Sequence, residues 1–264
     1  MPEGDTLFRT AAGLRPHLVG RVVSSARARR PGPQVERIVG ATVSAVESQG
    51  KNLLIRFDNG LELRTHLRMN GTWHRYRPGE RWRRPEARAR LVIEVPGAVA
   101  VCFDAPVVEL FEQRAEPLHL ALAALGPDLL DPAFGPAEAA EARRRLREPA
   151  RAAMTISEAL LDQRALAGIG NIWRNETLFA ERVDPLAPVE SLDDATLDRL
   201  VATARRLLAD SAARAPGRAR LNVYRRAGRP CPRCGTLIRS AQLRAELPRT
   251  TYWCPRCQVS EQTT

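Results

Sequence analysis

Four groups of residues in this chain have side chains or termini suited to reaction or ligation, and they lie far apart in sequence. The first is Pro2-Glu3, directly after Met1. Removal of Met1, expected ahead of a small residue, leaves Pro2 with a free secondary amine. An α-amine titrates near pH ~8 and an ordinary lysine near ~10.4, so the terminal amine is the better nucleophile at neutral pH. Glu3 beside it could shuttle protons. The plain alternative is a chain end with no chemistry. The second group is a single residue: Lys51 is the only lysine in the chain. A composition that otherwise uses arginine has kept one compact ammonium, either because lysine is needed there or by chance survival on the surface.

The third group is metal-ligating. Cys231-Pro232-Arg233-Cys234 and Cys254-Pro255-Arg256-Cys257 are two CxxC knuckles in one short segment. Four thiolates form a closed donor set for one structural Zn²⁺, with an iron–sulfur centre or a redox dithiol as the less natural alternatives. The residues between the knuckles read as a hairpin that brings the pairs together, and folding of so small a module should depend on its metal. Arg249 lies in that hairpin, suited to clamping a phosphate or simply facing solvent. The fourth group is Leu166-Ala167-Gly168-Ile169-Gly170-Asn171-Ile172. Two glycines tighten a turn, and Asn171 opens the next helix. Exposed amides there could hold a phosphate, or Asn171 could be an ordinary helix cap. Cys102, in an apolar run, reads as a buried thiol.

These groups need elements to position them. Asp5 is the expected cap of a helix over residues 6–17, with Leu7, Ala11, Leu14 and Leu18 on one face. Short apolar runs at 22–23, 41–46, 53–57, 61–67, 91–95 and 99–103 follow, with turns at Asp58-Asn59-Gly60 and Pro96-Gly97. This predicts a β-sandwich behind one helix, with 75–90 as an arginine-rich loop. Composition changes at 112–117. Beyond it, helices are predicted over 118–125, 136–147, 153–161, 172–179 and 191–213, the last capped by Ser191. The expected organisation is multidomain α+β: residues 1–115 an N-terminal helix with a β-sandwich, 116–220 a helical domain, and 221–264 a zinc-finger module.

The net charge is +11, with 44% hydrophobic and 27% charged residues. Residues 214–256 alone hold eleven arginines and one acid, Glu246. Such a field suits a polyanion, and the lack of a cationic amphipathic helix favours nucleic acid over an anionic membrane. No secretory signal or membrane span is evident, and five cysteines do not describe a disulfide scaffold. A reducing compartment is the expected location.

Together these motifs resemble the formamidopyrimidine-DNA glycosylase and endonuclease VIII family of DNA repair enzymes. Met1-Pro2-Glu3-Gly4 is similar to the family start, and Gln49-Gly50-Lys51 to its catalytic lysine turn. His66-Leu67-Arg68-Met69-Asn70-Gly71 resembles the segment with an intercalating side chain. Gly168 through Glu176 resembles the helix–two-turn–helix motif, and Asn222 through Gln258 the terminal zinc finger. The resemblance implies Pro2 as Schiff-base nucleophile and Glu3 as its acid/base partner. Lys51, Asn171 and Arg249 would grip phosphates, and Met69 would fill the gap left by an extruded nucleotide. Cys231, Cys234, Cys254 and Cys257 would hold the zinc. The implied activity is a bifunctional DNA glycosylase and abasic-site lyase on damaged double-stranded DNA, acting as a monomer.

Four departures narrow that expectation. Thr6 stands where many members have a glutamate, which puts base removal in question more than the lyase step. Phe103-Asp104-Ala105-Pro106-Val107-Val108 lacks the arginine and phenylalanine typical of the 8-oxoguanine branch. Pro248 precedes Arg249 in place of a common glycine, and the finger spacing is longer than usual. These favour the endonuclease VIII side, most like the second actinobacterial type, with oxidised pyrimidines and abasic sites as substrates. Oxidised purines are the alternative substrate. A binder of damaged DNA with little or no excision is the alternative function, and a zinc-ribbon RNA-binding protein fits poorly.

Overall fold

The computed structural model describes residues 2–29, 31–215, 220–242 and 249–259. Its contacts divide the chain into two compact units, Met1–Ala123 and Ala124–Thr264. The first opens with α1 (Gly4–Leu18), whose predicted stripe of Leu7, Ala11, Leu14 and Leu18 is buried throughout. The predicted cap is corrected. Glu3 occupies the N-cap position, and Asp5 lies inside the first turn, paired with Arg9 at 3.1 Å. An acid there still complements the helix dipole.

The strands of this unit are β1 (Ser25–Ala28), β2 (Val43–Gln49), β3 (Asn52–Phe57), β4 (Leu61–His66), β5 (Thr72–Tyr76), β6 (Ala89–Val95), β7 (Ala98–Phe103) and β8 (Val107–Glu112). They form two antiparallel four-stranded sheets, in the orders β1-β6-β7-β5 and β2-β3-β4-β8. Their inner faces share one core, in which Val46, Ile55 and Leu63 of one sheet meet Ile93, Ala100 and Cys102 of the other along with α1. Burial pushes the Cys102 thiol far up, in keeping with an inert core residue. The predicted hairpins β3–β4 and β6–β7 are present.

Strands β1, β5 and β8 are absent from the sequence reading, and all three are sheet edges. An edge strand buries less and tolerates charge, so its apolar alternation is weak. The predicted loop at 75–90 is corrected at both ends, since Arg75 and Tyr76 belong to the edge strand β5 and Ala89 and Arg90 to the start of β6. On the outer face of the first sheet, Tyr76, Val92, Val101 and Phe103 form a second small core, with Trp82 packed on it. The predicted helix at 118–125 shortens to α2 (Leu120–Ala123) after a 3₁₀ segment, Gln113–Leu118.

The second unit holds α3 (Pro136–Leu146), α4 (Ile156–Ala159), α5 (Asn171–Glu181) and α6 (Asp194–Ala213). Helix α4 opens later than predicted, on a Thr155–Glu158 capping box. Asp193 caps α6 in place of Ser191 by accepting the Thr196 N–H at 2.7 Å. Ser191 ends a 3₁₀ turn and donates to the Pro188 carbonyl. The predicted hairpin is β9 (Arg239–Gln242) paired with β10 (Thr250–Trp253). Its tip at 243–248, including Pro248, lies outside the described residues, as does Met1. The architecture is thus an N-terminal helix with a β-sandwich, a helical region and a four-cysteine hairpin. No described helix is long and apolar enough to cross a membrane.

Candidate nucleic-acid site and metal centre

Lys51 owes its place to the β2–β3 hairpin. Gln49 pairs with Asn52, so Gly50 and Lys51 are the two turn residues. Gly50 has φ +57° and Lys51 is not left-handed, the requirement of a type II′ turn with glycine first. Asn52 braces the turn from behind. Its amide donates to the Gln49 carbonyl at 3.0 Å, and its carbonyl accepts from Arg64 Nε at 2.9 Å. Arg64 in turn pairs with Glu109 of β8. His66, across from Asn52, sits among Lys51, Arg64 and Arg68. Burial first, and then the charges of Arg68, Arg64 and Lys51, push its pKa down to about 4. The imidazole is therefore neutral, and Nδ1 accepts the Arg68 N–H at 3.1 Å.

That bond starts the loop that presents Met69. Leu67 is buried as its anchor, and the Gly71 N–H closes it onto the Leu67 carbonyl at 2.9 Å. A Cβ at position 71 would lie 2.6 Å from that same oxygen, so only glycine fits without moving the loop. Met69 at the tip is 49% exposed, a large apolar side chain held out on a fixed turn. It lines a cleft of about 430 Å³ together with Pro2, Thr6, Asn70, Arg84 and Arg88. Pro2, half-buried, is one of the residues lining this cleft. Glu3 is only 1% exposed, and its carbonyl accepts from Thr6 and Leu7 at the electropositive start of α1. Thr6 contributes a hydroxyl to the cleft wall, 3.4 Å from Asp5 Oδ1. The structure thus brings Pro2 and Met69 to one cleft and places Lys51 on a neighbouring turn of the same unit.

In the second unit, Asn171 is the first residue of α5, after Gly170 at N-cap. Its amide donates to the Thr250 carbonyl, next to Arg249, at 3.2 Å. Sequence reasoning missed what joins them. Arg174, 1% exposed, donates to Asn171 Oδ1 at 2.5 Å, to Thr251 Oγ1 at 3.1 Å and to the Ser157 carbonyl at 3.3 Å. Asn175 Oδ1 accepts the Tyr252 N–H at 2.7 Å. Glu176 accepts from Asn222 N and Nδ2, Val223 N and Tyr224 N, all within 3.0 Å. Three consecutive polar residues at the buried start of a helix were the available signal, since such groups are buried only with partners.

Cys231, Cys234, Cys254 and Cys257 converge as predicted, with their sulfurs all within 4.8 Å of one another. Sulfur pairs at 3.4, 3.5 and 3.9 Å are far beyond a disulfide bond. A tetrahedral zinc with Zn–S of about 2.3 Å requires sulfurs about 3.8 Å apart. The donor set and its spacing therefore fit one structural Zn²⁺ held by these four cysteines. The ion would supply a cross-link between the knuckles. Arg233, inside the first knuckle, donates to the Phe179 and Ala180 carbonyls at the end of α5, and Gln258 bridges Cys254 N to the Val183 carbonyl. The cysteine module is thereby fastened to the helix that carries Asn171.

Comparison with known proteins agrees along the chain. Residues 1–106 match the formamidopyrimidine-DNA glycosylase N-terminal domain, 125–220 the formamidopyrimidine-DNA glycosylase H2TH domain, and 228–259 the zinc finger found in FPG and IleRS. "Probable endonuclease 8 2" of Streptomyces coelicolor is 40% identical over 98% of this chain and 94% of its own. "DNA-(apurinic or apyrimidinic site) lyase Nei2" of Mycolicibacterium smegmatis is 39% identical over 98% of this chain and all of its own, 100%. A Lactococcus lactis Fpg, solved with DNA containing N7-benzyl-Fapy-dG, has the same fold at a TM-score of 0.83 and 21% identity, over 98% of this chain and 100% of that one.

Proposed function

This chain belongs to the formamidopyrimidine-DNA glycosylase and endonuclease VIII family, and on that premise we propose that it is a bifunctional DNA glycosylase and abasic-site lyase. Its partner is double-stranded DNA carrying an oxidised pyrimidine or an abasic site, in a bacterial cytoplasm. The observation that carries this reading is that Pro2 and the exposed Met69 line one cleft, with the Glu3 carboxyl buried beside Pro2 in the chain. A nucleophile and an exposed apolar wedge lining one cleft suit a nucleotide turned out of the stack, because its C1′ cannot be reached inside a duplex.

The chemistry runs on this chain's own groups. Loss of Met1 frees the Pro2 amine, whose lone pair attacks C1′. The base leaves with its bonding electrons and a proton. Glu3 protonates the ring oxygen, the sugar opens, and the secondary amine is left as an iminium. That cation acidifies the C2′ proton, and its removal expels the 3′ phosphate. A second elimination expels the 5′ phosphate, and water releases Pro2. Lys51, Asn171 and Arg249 hold backbone phosphates, and a zinc held by Cys231, Cys234, Cys254 and Cys257 would keep the hairpin bearing Arg249 in shape. The divisions 1–115, 116–220 and 221–264 are the working domains of this reading, supported by the three matched segments. Thr6 puts a hydroxyl where a carboxylate would help base release, which favours abasic and oxidised-pyrimidine sites over purine lesions.

Borohydride trapping on duplexes carrying an abasic site, an oxidised pyrimidine or an oxidised purine tests this directly. The expected result is a covalent adduct with the first two, much reduced in Pro2→Gly. No adduct with any duplex would sink the lyase mechanism. An adduct only at the abasic site would instead favour a lyase without base excision.

A further inference from the structure

Residues 75–90 hold seven arginines against Glu80 and Glu86, and the proposed chemistry uses none of them. The segment is fixed to the sheet beneath it. Trp82 stacks 6.0 Å from Tyr76 and meets Phe103 edge-on at 5.8 Å, and the Arg83 N–H donates to the Tyr76 hydroxyl at 3.0 Å. Its arginines therefore project from a built base.

Arg84 and Arg88 both turn to Asp104, at 2.6 and 2.9 Å. Asp104 holds the left-handed region at φ +54°, which aspartate tolerates better than most residues. Its carboxyl stays below the usual carboxylate range, first through the Arg88 hydrogen bond. One carboxylate engages only part of two guanidiniums, each with five N–H donors. Arg84 and Arg88 line the Pro2 cleft. Beyond it lies a second cleft of about 420 Å³, sharing Asn70 and Arg88 with the first and adding Arg90, Asp104, Ala105 and Pro106. Arg90 lines this second cleft, and its Nε is buried with no hydrogen-bond partner among the described residues. A buried donor without an acceptor is costly, and the rest of the guanidinium carries further N–H donors.

Three guanidiniums against one carboxylate, along two adjoining clefts, match a row of phosphates better than a single small anion, and their planar forks suit phosphate oxygens. We propose that Arg84, Arg88 and Arg90 form a phosphate track that holds the sugar–phosphate backbone of the duplex beside the Pro2 cleft, positioning the DNA without reading its bases. The track rests on the glycosylase–lyase reading for the identity of its duplex.

The test compares the wild type with an Arg88→Gln/Arg90→Gln double variant by fluorescence anisotropy across a salt series. The probes are a duplex with a tetrahydrofuran abasic analogue and the same duplex undamaged. Each lost phosphate contact should lower the slope of log K against log salt by about 0.9, so a fall of about 1 to 2 is expected, equal on both duplexes. Affinity should drop by about tenfold on both at ~0.15 M salt. An Arg88→Lys/Arg90→Lys variant, which keeps the charge, should keep the slope and so separates lost charge from damaged folding. An unchanged slope in the glutamine variant would overturn the track. So would a loss confined to one of the two duplexes, which would tie the arginines to the lesion and not to the backbone common to both. Binding to undamaged DNA does not depend on the lyase step, so a wild type that binds with full slope yet gives no borohydride adduct would condemn the lyase reading alone.

Discussion

At the scale of single residues, Glu3 and His66 make separable predictions. Glu3 is buried at the start of α1, beside the proposed nucleophile. Glu3→Gln keeps the shape and removes the transferable proton, so single-turnover strand cleavage should fall by about 10²-fold or more. A rate within about threefold of wild type would remove Glu3 from proton transfer. His66 predicts a stability profile. Its folded pKa of about 4 lies below the ordinary 6.5. Above pH ~6.5 the imidazole is neutral in both states, and its contribution is fully present. Between pH ~6.5 and ~4 the unfolded chain takes up a proton that the folded chain refuses, so that contribution is lost as pH falls. Urea melts of wild type and His66→Gln should therefore converge or cross on acidification, by about 3 kcal/mol at most. Parallel profiles would show that the imidazole titrates normally in the fold. Pro2, Glu3 and Lys51 stood out in the sequence as candidates because their types are rare or reactive where they stand, and their roles came from the family resemblance. Asn52, Arg64 and His66 were not, because their meeting depends on the β2–β3–β4 register, which no local pattern displays.

At the scale of elements, periodicity revealed what packs on the core, including the edge strand β2, and missed the other three edge strands. The stripe of α1 and the runs of β3, β4, β6 and β7 were readable because the core dictates them. Strands β1, β5 and β8 were not, since an edge strand such as Ser25–Ala28 takes its conformation from its neighbour. The caps of α1 and α6 were each misplaced, by one competing acid nearby. Helix α5 shows best how an element serves the site. Arg174 ties Asn171 to Thr250 and Thr251, so it orients Asn171 and the strand that follows Arg249. Arg174→Met removes those bonds while filling much of the space. It should destabilise the second unit by about 2–4 kcal/mol in denaturant melts, because buried acceptors lose their donor. It should also weaken DNA binding. A double-mutant cycle with Asn171→Ala then separates two roles: an interaction energy above about 0.5 kcal/mol means Arg174 acts through Asn171, and strict additivity means it does not.

At the scale of the whole molecule, the two units have separate cores, and the metal belongs to only one of them. The sequence located the four ligands from spacing alone, yet it gave no sign of how firmly the cysteine module is tied to α5. Glu176 fixes residues 222–224, Arg233 closes the end of the helix, and Gln258 reaches the Val183 carbonyl. Loss of the metal should therefore propagate to the helix that carries Asn171, rather than stop at the hairpin. Chelation of purified protein should expose four reactive thiols, one for each ligand cysteine, while Cys102 stays protected in the β-sandwich core. DNA affinity should fall by about tenfold or more with loss of the grip assigned to Asn171 and Arg249. Near-ultraviolet signals from Trp73 and Trp82 in the first unit should persist, while those of Trp173 and Trp253 in the second should change. Readdition of Zn²⁺ should restore both affinity and thiol protection. If chelated protein bound DNA with full affinity, the cysteine centre would have no part in holding the second unit's phosphate grip.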